Sequence, residues 1–203
     1  MLVAILAMLL MTALGTAVML TSSSDTIIAA HFRDNLETRY AAALMIERGM
    51  DDIAVAADWT LLTGGALPSS WTDGVASGTR TLADGSTLEV AQMVNMANCR
   101  KAAVCSTAEM SAVSADRPWG ANNPQWKLYE YGALRDLMGT GSIDSPCYVM
   151  VLVGSGIGQP GWDVVAVRAE AFGRRGAHAV VEATAGRATR GGGARILSWR
   201  EMR

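Results

Sequence analysis

Hydrophobic positions fall along this chain in three textures. From Met1 to Leu20 the residues are apolar almost without interruption, broken only by Thr12, Gly15 and Thr16. Twenty helical residues span about 30 Å, the hydrocarbon thickness of a bilayer, so this run is long enough to cross one. From Ile28 onward the texture becomes periodic. Ile28, Phe32, Leu36, Tyr40 and Leu44 recur at i+4 steps and are continued by Ile46, Met50 and Ile53. This is the mark of an amphipathic helix. Arg33, Asp34, Glu37, Glu47, Arg48, Asp51 and Asp52 occupy mostly the other faces, and Arg48 with Asp52 is an i,i+4 pair of opposite charge. No proline precedes Pro68, so one helix is expected from residue 1 to about residue 57, roughly 85 Å long. The competing expectation is a break at "TSSSD", with Ser24 or Asp25 capping a second helix.

Beyond Trp59 the third texture is one of turns and short extended runs. "LLTGGALPSSWTDGVASG" is a connector, "STLEVAQMVNM" reads as a half-buried strand, and "ADRPWGANNPQWKLYEYGAL" begins as a loop and becomes extended. "CYVMVLVG" has the continuous apolarity of a central strand. "DVVAVRAEAFGRRGAHAVVEATA" predicts a hairpin, with Val165, Val167, Ala169 and Ala171 alternating against Arg168 and Glu170 before "GRRG" turns the chain. "ARILSWREM" adds a final strand. The expected class is α+β, a long N-terminal helix laid on an antiparallel sheet. Three segments follow: 1–25, the membrane half of the helix; 26–58, its amphipathic half; and 59–203, a β-rich head.

Composition narrows the function. Of 203 residues, 50% are hydrophobic and 18% charged, with a formal net charge of −2, so no nucleic acid is expected as a partner. No basic residue precedes the apolar run, and Arg33 is the first in the chain. A secretory signal needs a positive leader and a small-residue cleavage site, so the expectation is a mature N-terminus from which a short leader has been removed, or a retained anchor that starts upstream. Cys99 and Cys105, in "CRKAAVC", have a spacing that suits a disulfide in an oxidising compartment better than a zinc knuckle. Cys147 is expected as a buried free thiol. The alternative is three reduced thiols.

Catalytic patterns are weak. "VGSGIGQPGW" places Gly154, Gly156 and Gly158 after an apolar strand, yet Pro160 and Gly161 stand where a phosphate-cradling loop would need a helix N-terminus. His31 and His178 are isolated in sequence, and "RATRGGGAR" reads as a flexible linker. Trp119 and Trp126 fit loop-anchoring packing better than a sugar platform. These residues call for no enzyme, no cofactor and no metal.

A membrane-length N-terminal helix continuing into an amphipathic one, then a Gly-rich linker and an antiparallel sheet, resembles a type IV pilin-like subunit. Within that superfamily, "LLMTALGTAVMLTSSSDTIIAAHFRDNLETRYAAALMIERGMDDI" resembles the N-terminal segment of PilX-type minor pilins, through Ile28, Ala29, Phe32 and Arg33 and then Tyr40, Ala41 and Ala42. The "RPWGANNPQWKLYEYGAL" and "VRAEAFGRRGAHAVVEATAGR" stretches also look like parts of longer members. The resemblance implies a structural subunit held in the inner membrane with its head in the periplasm, then extracted into an extracellular type IV pilus. It also implies partners: other minor pilins, the major pilin, the inner-membrane assembly platform and a large tip adhesin. Leu2, Ile5, Leu9, Leu10, Leu14 and Val18 would lie in the membrane and then in the filament core. Ile28, Phe32, Leu36, Tyr40 and Leu44 would form the packing face, used partly against the subunit's own sheet and partly against neighbours. Two departures stand out. Most pilins carry a glutamate at the fifth mature residue where this chain has Ile5, which fits a tip subunit with no neighbour above it and a resemblance to K-type minor subunits. The usual proline after the membrane half is also missing. A main filament subunit, a type II secretion pseudopilin, and a membrane-anchored periplasmic enzyme or binding module are the alternatives.

Overall fold

A computed structural model of the chain describes residues 1–115, 125–137, 144–156, 161–188 and 193–202. Trp119, Gly158, Pro160 and residues 189–192 of the basic glycine linker lie outside the described residues. The first element, α1, is one unbroken helix of 54 residues, Leu2–Val55, about 80 Å long at the standard rise. The "TSSSD" run does not interrupt it. The hydroxyls of Thr21 and Thr26 donate back to the carbonyls of Ala17 and Ser22, at 2.7 and 2.9 Å, so these side chains bond along the helix instead of capping a new one.

The helix ends where Ala56 turns extended, and Arg187 closes its last turn. That guanidinium donates to the carbonyls of Ala56 and Ala57, at 2.7 and 3.0 Å, and lies 4.6 Å from the centre of the Trp59 ring. A cation there satisfies carbonyls that lack a partner within the helix and complements the helix dipole. The Asp58 carboxylate then caps α2, Trp59–Thr63, by accepting the Thr60 N–H at 2.8 Å.

A short hairpin of β1 (Thr79–Thr81) and β2 (Thr87–Glu89) follows, then α3 (Val90–Cys99) and α4 (Thr107–Ala115). The expected strand in "STLEVAQMVNM" is therefore corrected: only Thr87–Glu89 is extended, and the remainder is helical. Val90, Met93, Val94 and Ala97 are spaced i, i+3, i+4, i+7, and they turn one side toward the sheet.

The main sheet contains β3 (Lys127–Ala133), β4 (Tyr148–Ser155), β5 (Trp162–Phe172), β6 (His178–Ala188) and β7 (Arg195–Met202), with α5 (Leu134–Leu137) after β3. Each strand pairs antiparallel with the next, in the order β3-β4-β5-β6-β7. The α+β class, the inner position of β4, the β5–β6 hairpin and the final strand agree with the sequence reading. Alternation sorts the two faces. Val149, Val151, Val165, Val167, Ala169 and Val181 meet α1 in the principal core. On the other face Tyr131, Tyr148, Met150 and Phe172 pack with Leu88 and Val90.

Candidate functional site

The N-terminal part of α1 touches nothing in the molecule. Every residue from Met1 to Ala29 is exposed, including Leu2, Ile5, Leu9, Leu10, Leu14 and Val18. The most apolar 18-residue stretch of α1 has a mean hydropathy of 2.4 and is entirely unburied, so the helix is long and apolar enough to cross a membrane. Thr12 and Thr16 fit such a setting, because their hydroxyls bond to the carbonyls of Met8 and Thr12, each at 3.0 Å. No hydroxyl there needs water.

The second half of α1 docks through the end of the periodic stripe, Ile46, Met50 and Ile53, and through small residues beside it, while the earlier part of the stripe stays outside. Its buried residues are Asp34, Thr38, Ala41, Ala42, Met45, Ile46, Gly49, Met50 and Ile53. Ile28, Phe32 and Tyr40 remain 65%, 68% and 67% exposed, Leu36 is also exposed, and Leu44 alone of the five packs partly against the core. The expected use of this face against the subunit's own sheet is thus corrected to Leu44. The reason is size. Ala41, Ala42 and Gly49 let the helix backbone come close to the sheet, and a Cβ built on Gly49 would already lie 3.5 Å from Val151. The larger side chains are left to line an open groove of about 390 Å³ formed by Arg33, Leu36, Glu37, Tyr40, Ala41, Leu44, Leu134 and Ser145.

Polar clasps fix where the free half leaves the head. The Asp34 carboxylate pairs with Arg175 in the β5–β6 turn, and the Arg175 N–H donates to Asp84 in the β1–β2 turn at 2.9 Å. Thr38 is fully buried beneath that turn, and a Cβ on Gly173 would come within 2.4 Å of its methyl. Arg39 reaches Glu201 on β7 at 2.7 Å. Arg48 does not use its expected i,i+4 partner; it donates to Glu130 on β3 at 2.7 Å, and Asp52 instead accepts from Ser69 at 3.1 Å. Glu130 is wholly buried, and its second carboxylate oxygen has no hydrogen-bond partner. Burial pushes this carboxyl above its ordinary range, and Arg48 opposes the shift.

Cys99 and Cys105 are bonded, with Cα atoms 6.0 Å apart, closing the turn from α3 toward α4. A loop this short contributes about 2 kcal/mol by restricting the unfolded chain. Cys147 is free and buried, and burial pushes its thiol up.

On the sheet face away from α1, Arg168 bridges Glu170 and Glu182, at 2.6 and 2.8 Å, while Arg200 also pairs with Glu182. His178 sits 3.0 Å from Glu170 and stacks on Phe172, with ring centres 4.6 Å apart. Burial would raise Glu170, but His178 and Arg168 outweigh it and hold the carboxyl below its ordinary value. His178 therefore has a partner that its sequence neighbourhood does not announce. The signal lies in the hairpin register, which sets Phe172 opposite His178 and leaves Glu170 diagonal to the ring.

The other candidates among the described residues are placed as follows. Gly156 donates its N–H to Val164 at 3.1 Å, and a Cβ there would lie 2.5 Å from the Val164 side chain; the next described element is β5, from Trp162. Trp126 is buried against Leu152 and Ala97. His31 is exposed on α1. Compared with protein-family models, with curated proteins and with solved structures, the chain matches none.

Proposed function

We propose that this chain is a pilin-like minor subunit of the PilX type, stored in the inner membrane through residues 1–20 and extracted into a type IV pilus, near the tip. The observation that carries the reading is the continuity of α1: an exposed apolar half joined without a hinge to a docked half. A simple anchor for a periplasmic enzyme needs a span and a flexible tether. A filament built of parallel helices needs a rigid rod whose free half packs against other subunits and whose docked half fixes the angle of the head.

In this reading the partners are other minor pilins, the major pilin, the assembly platform and, at the tip, a large adhesin. Ile28, Phe32, Leu36 and Tyr40 are the contacts offered to neighbours, which agrees with their exposure. The disulfide agrees with a head that folds in the periplasm.

The test is location and stoichiometry. Filaments sheared from cells should contain the chain at a small fraction of the major subunit, at one end by immunogold labelling, and deletion should cost most of the filaments. Uniform labelling along the shaft would favour a main filament subunit. Retention in the envelope with secretion lost would favour a type II pseudopilin, and retention with both systems intact would favour a membrane-anchored binding module.

A further inference from the structure

The two edges of the main sheet are treated differently. Along β3 the chain seals its own edge: the N–H groups of Ser69 and Asp73 donate to the carbonyls of Tyr129 and Tyr131, at 3.0 and 2.9 Å, and Thr72 forms a parallel bridge with Tyr131. Along β7 no described strand pairs with the outer side. Residues 195–202 contain neither lysine nor proline; of the other edge guards β7 carries a bulge at Leu197 and three charges, two of which, Arg200 and Glu201, are held in ion pairs within the chain.

The side chains of β7 frame that edge on both faces. Ile196 and Trp199 stand opposite Ala185 and Ala183, on the α1 side. Leu197 and Met202 lie on the other face, where Leu197 meets Gly186 and Met202 stands opposite Val180. All four are between 37% and 46% exposed. At one end Arg195 lies 4.4 Å from the centre of the Trp162 ring and pairs with no carboxylate among the described residues. At the other end Glu201 is held by Arg39, which ties the strand to α1.

We propose that the outer edge of β7 is a docking strand that accepts an extended segment of a different protein, with apolar side chains alternating along it and an acidic residue set against Arg195. Main-chain hydrogen bonds supply the attachment, and the apolar pairs on each face fix the register. A second copy of this chain fits less well. Two β7 strands joined antiparallel by a two-fold axis through the sheet would point their α1 helices in opposite directions, and two such helices cannot enter one membrane from the same side. The inference rests on the proposed reading in two places: the occupant is taken from another subunit of the same structure, and a second copy is set aside because the helix enters a membrane.

Hydrogen–deuterium exchange read by mass spectrometry tests it, comparing the full-length chain alone in detergent with the chain in native assemblies from the envelope and from sheared filaments. The outward amides of 195–202 should exchange about 10-fold or more slowly in the assemblies. The double substitution Ile196→Lys with Trp199→Lys should remove that protection in assemblies while the isolated chain, although it melts lower for the lost cover over Ala183 and Ala185, still unfolds cooperatively with the exchange of β4 and β5 unchanged. Equal exchange in both states overturns the proposal. So does protection in the isolated chain, whether constant, which means the edge is covered from within, or rising with concentration, which means a second copy fills it. Recovery in sheared filaments reports separately on the filament reading: a chain confined to the envelope with β7 protected upholds the docking strand and not the pilus.

Discussion

The two halves of α1 are continuous in backbone and opposite in use. Up to Ala29 nothing is buried, whereas nine residues between Asp34 and Ile53 are. The second half buries Thr38, Ala41, Ala42 and Gly49 together with Met45, Ile46, Met50 and Ile53, and leaves Phe32 and Tyr40 outside. Hydrophobicity alone does not choose the docked face; closeness of approach does. Ala41, Ala42 and Gly49 bring the backbone near the sheet and let Met45 and Ile46 fill the remaining space, so more surface leaves water than if Phe32 and Tyr40 held the helix off. The bulky stripe stays exposed.

The largest expected effect in the docked half comes from Arg48. Arg48→Ala leaves Glu130 buried without a cation, at a cost of about 3–5 kcal/mol at neutral pH. Burial already raises the folded-state pKa of Glu130, so the folded chain binds this proton more tightly than the unfolded one. The associated stability is present below the ordinary glutamate range and is lost as pH rises through the folded value. Thermal melts should therefore show a wide gap between variant and wild type at about pH 8 and a narrow one near pH 4.5, with the unfolded reference close to 4.3. A gap that does not change with pH would mean that Arg48 acts through packing and not through charge.

Next comes the core stripe itself. Ile46 is fully buried, and Ile46→Ala should cost about 2–4 kcal/mol, read from denaturant unfolding of the head. The same truncation at Ile28, which is 65% exposed, should leave the unfolding midpoint near that of the wild type. Comparable losses at both positions would erase the distinction between the halves.

A smaller effect tests the clasp. Gly173→Ala pushes a methyl onto Thr38 under the β5–β6 turn and should cost about 1–3 kcal/mol through overpacking. Thr38→Ser deletes the methyl that is struck but keeps the hydroxyl that donates to Asp34 at 3.1 Å, so the double variant should recover much of the loss. Additive losses would place the strain elsewhere in the turn.

The sequence carried most of the elements and little of their facing. One helix, the hairpin around Gly173, the inner strand at Val149 to Val153 and the Cys99–Cys105 bond all follow from local signals: no proline, period-two alternation, continuous apolarity and a short cysteine spacing. The helix in Val90–Cys99 was hidden because a few residues of "STLEVAQMV" alternate before the helical spacing takes over. Local spacing pairs Arg48 with Asp52, but its partner Glu130 is 82 residues away and reaches the helix side of the sheet through a bulge in β3 between Leu128 and Glu130. Ile28, Phe32, Leu36, Tyr40 and Leu44 do form a stripe, but a stripe does not say which body covers it.

The smallest expected effect on the chain alone belongs to Phe32, and it separates the halves most cleanly. The ring is 68% exposed, so Phe32→Ala should leave the unfolding free energy of the isolated chain within about 0.5 kcal/mol of the wild type. Phe32→Glu should be equally silent there, since an exposed carboxylate keeps its water. In cells it should not be silent. If this face packs against neighbouring helices, the glutamate must enter a dry contact without a partner, which costs several kcal/mol per site, and filaments should lack the variant although its level in the membrane is normal. Phe32→Ala should reduce incorporation only in part, because it deletes contact area without burying a charge. Normal incorporation of Phe32→Glu would show that assembly does not use this stripe, and would leave the groove beside Leu36 and Tyr40 open to water in the finished structure.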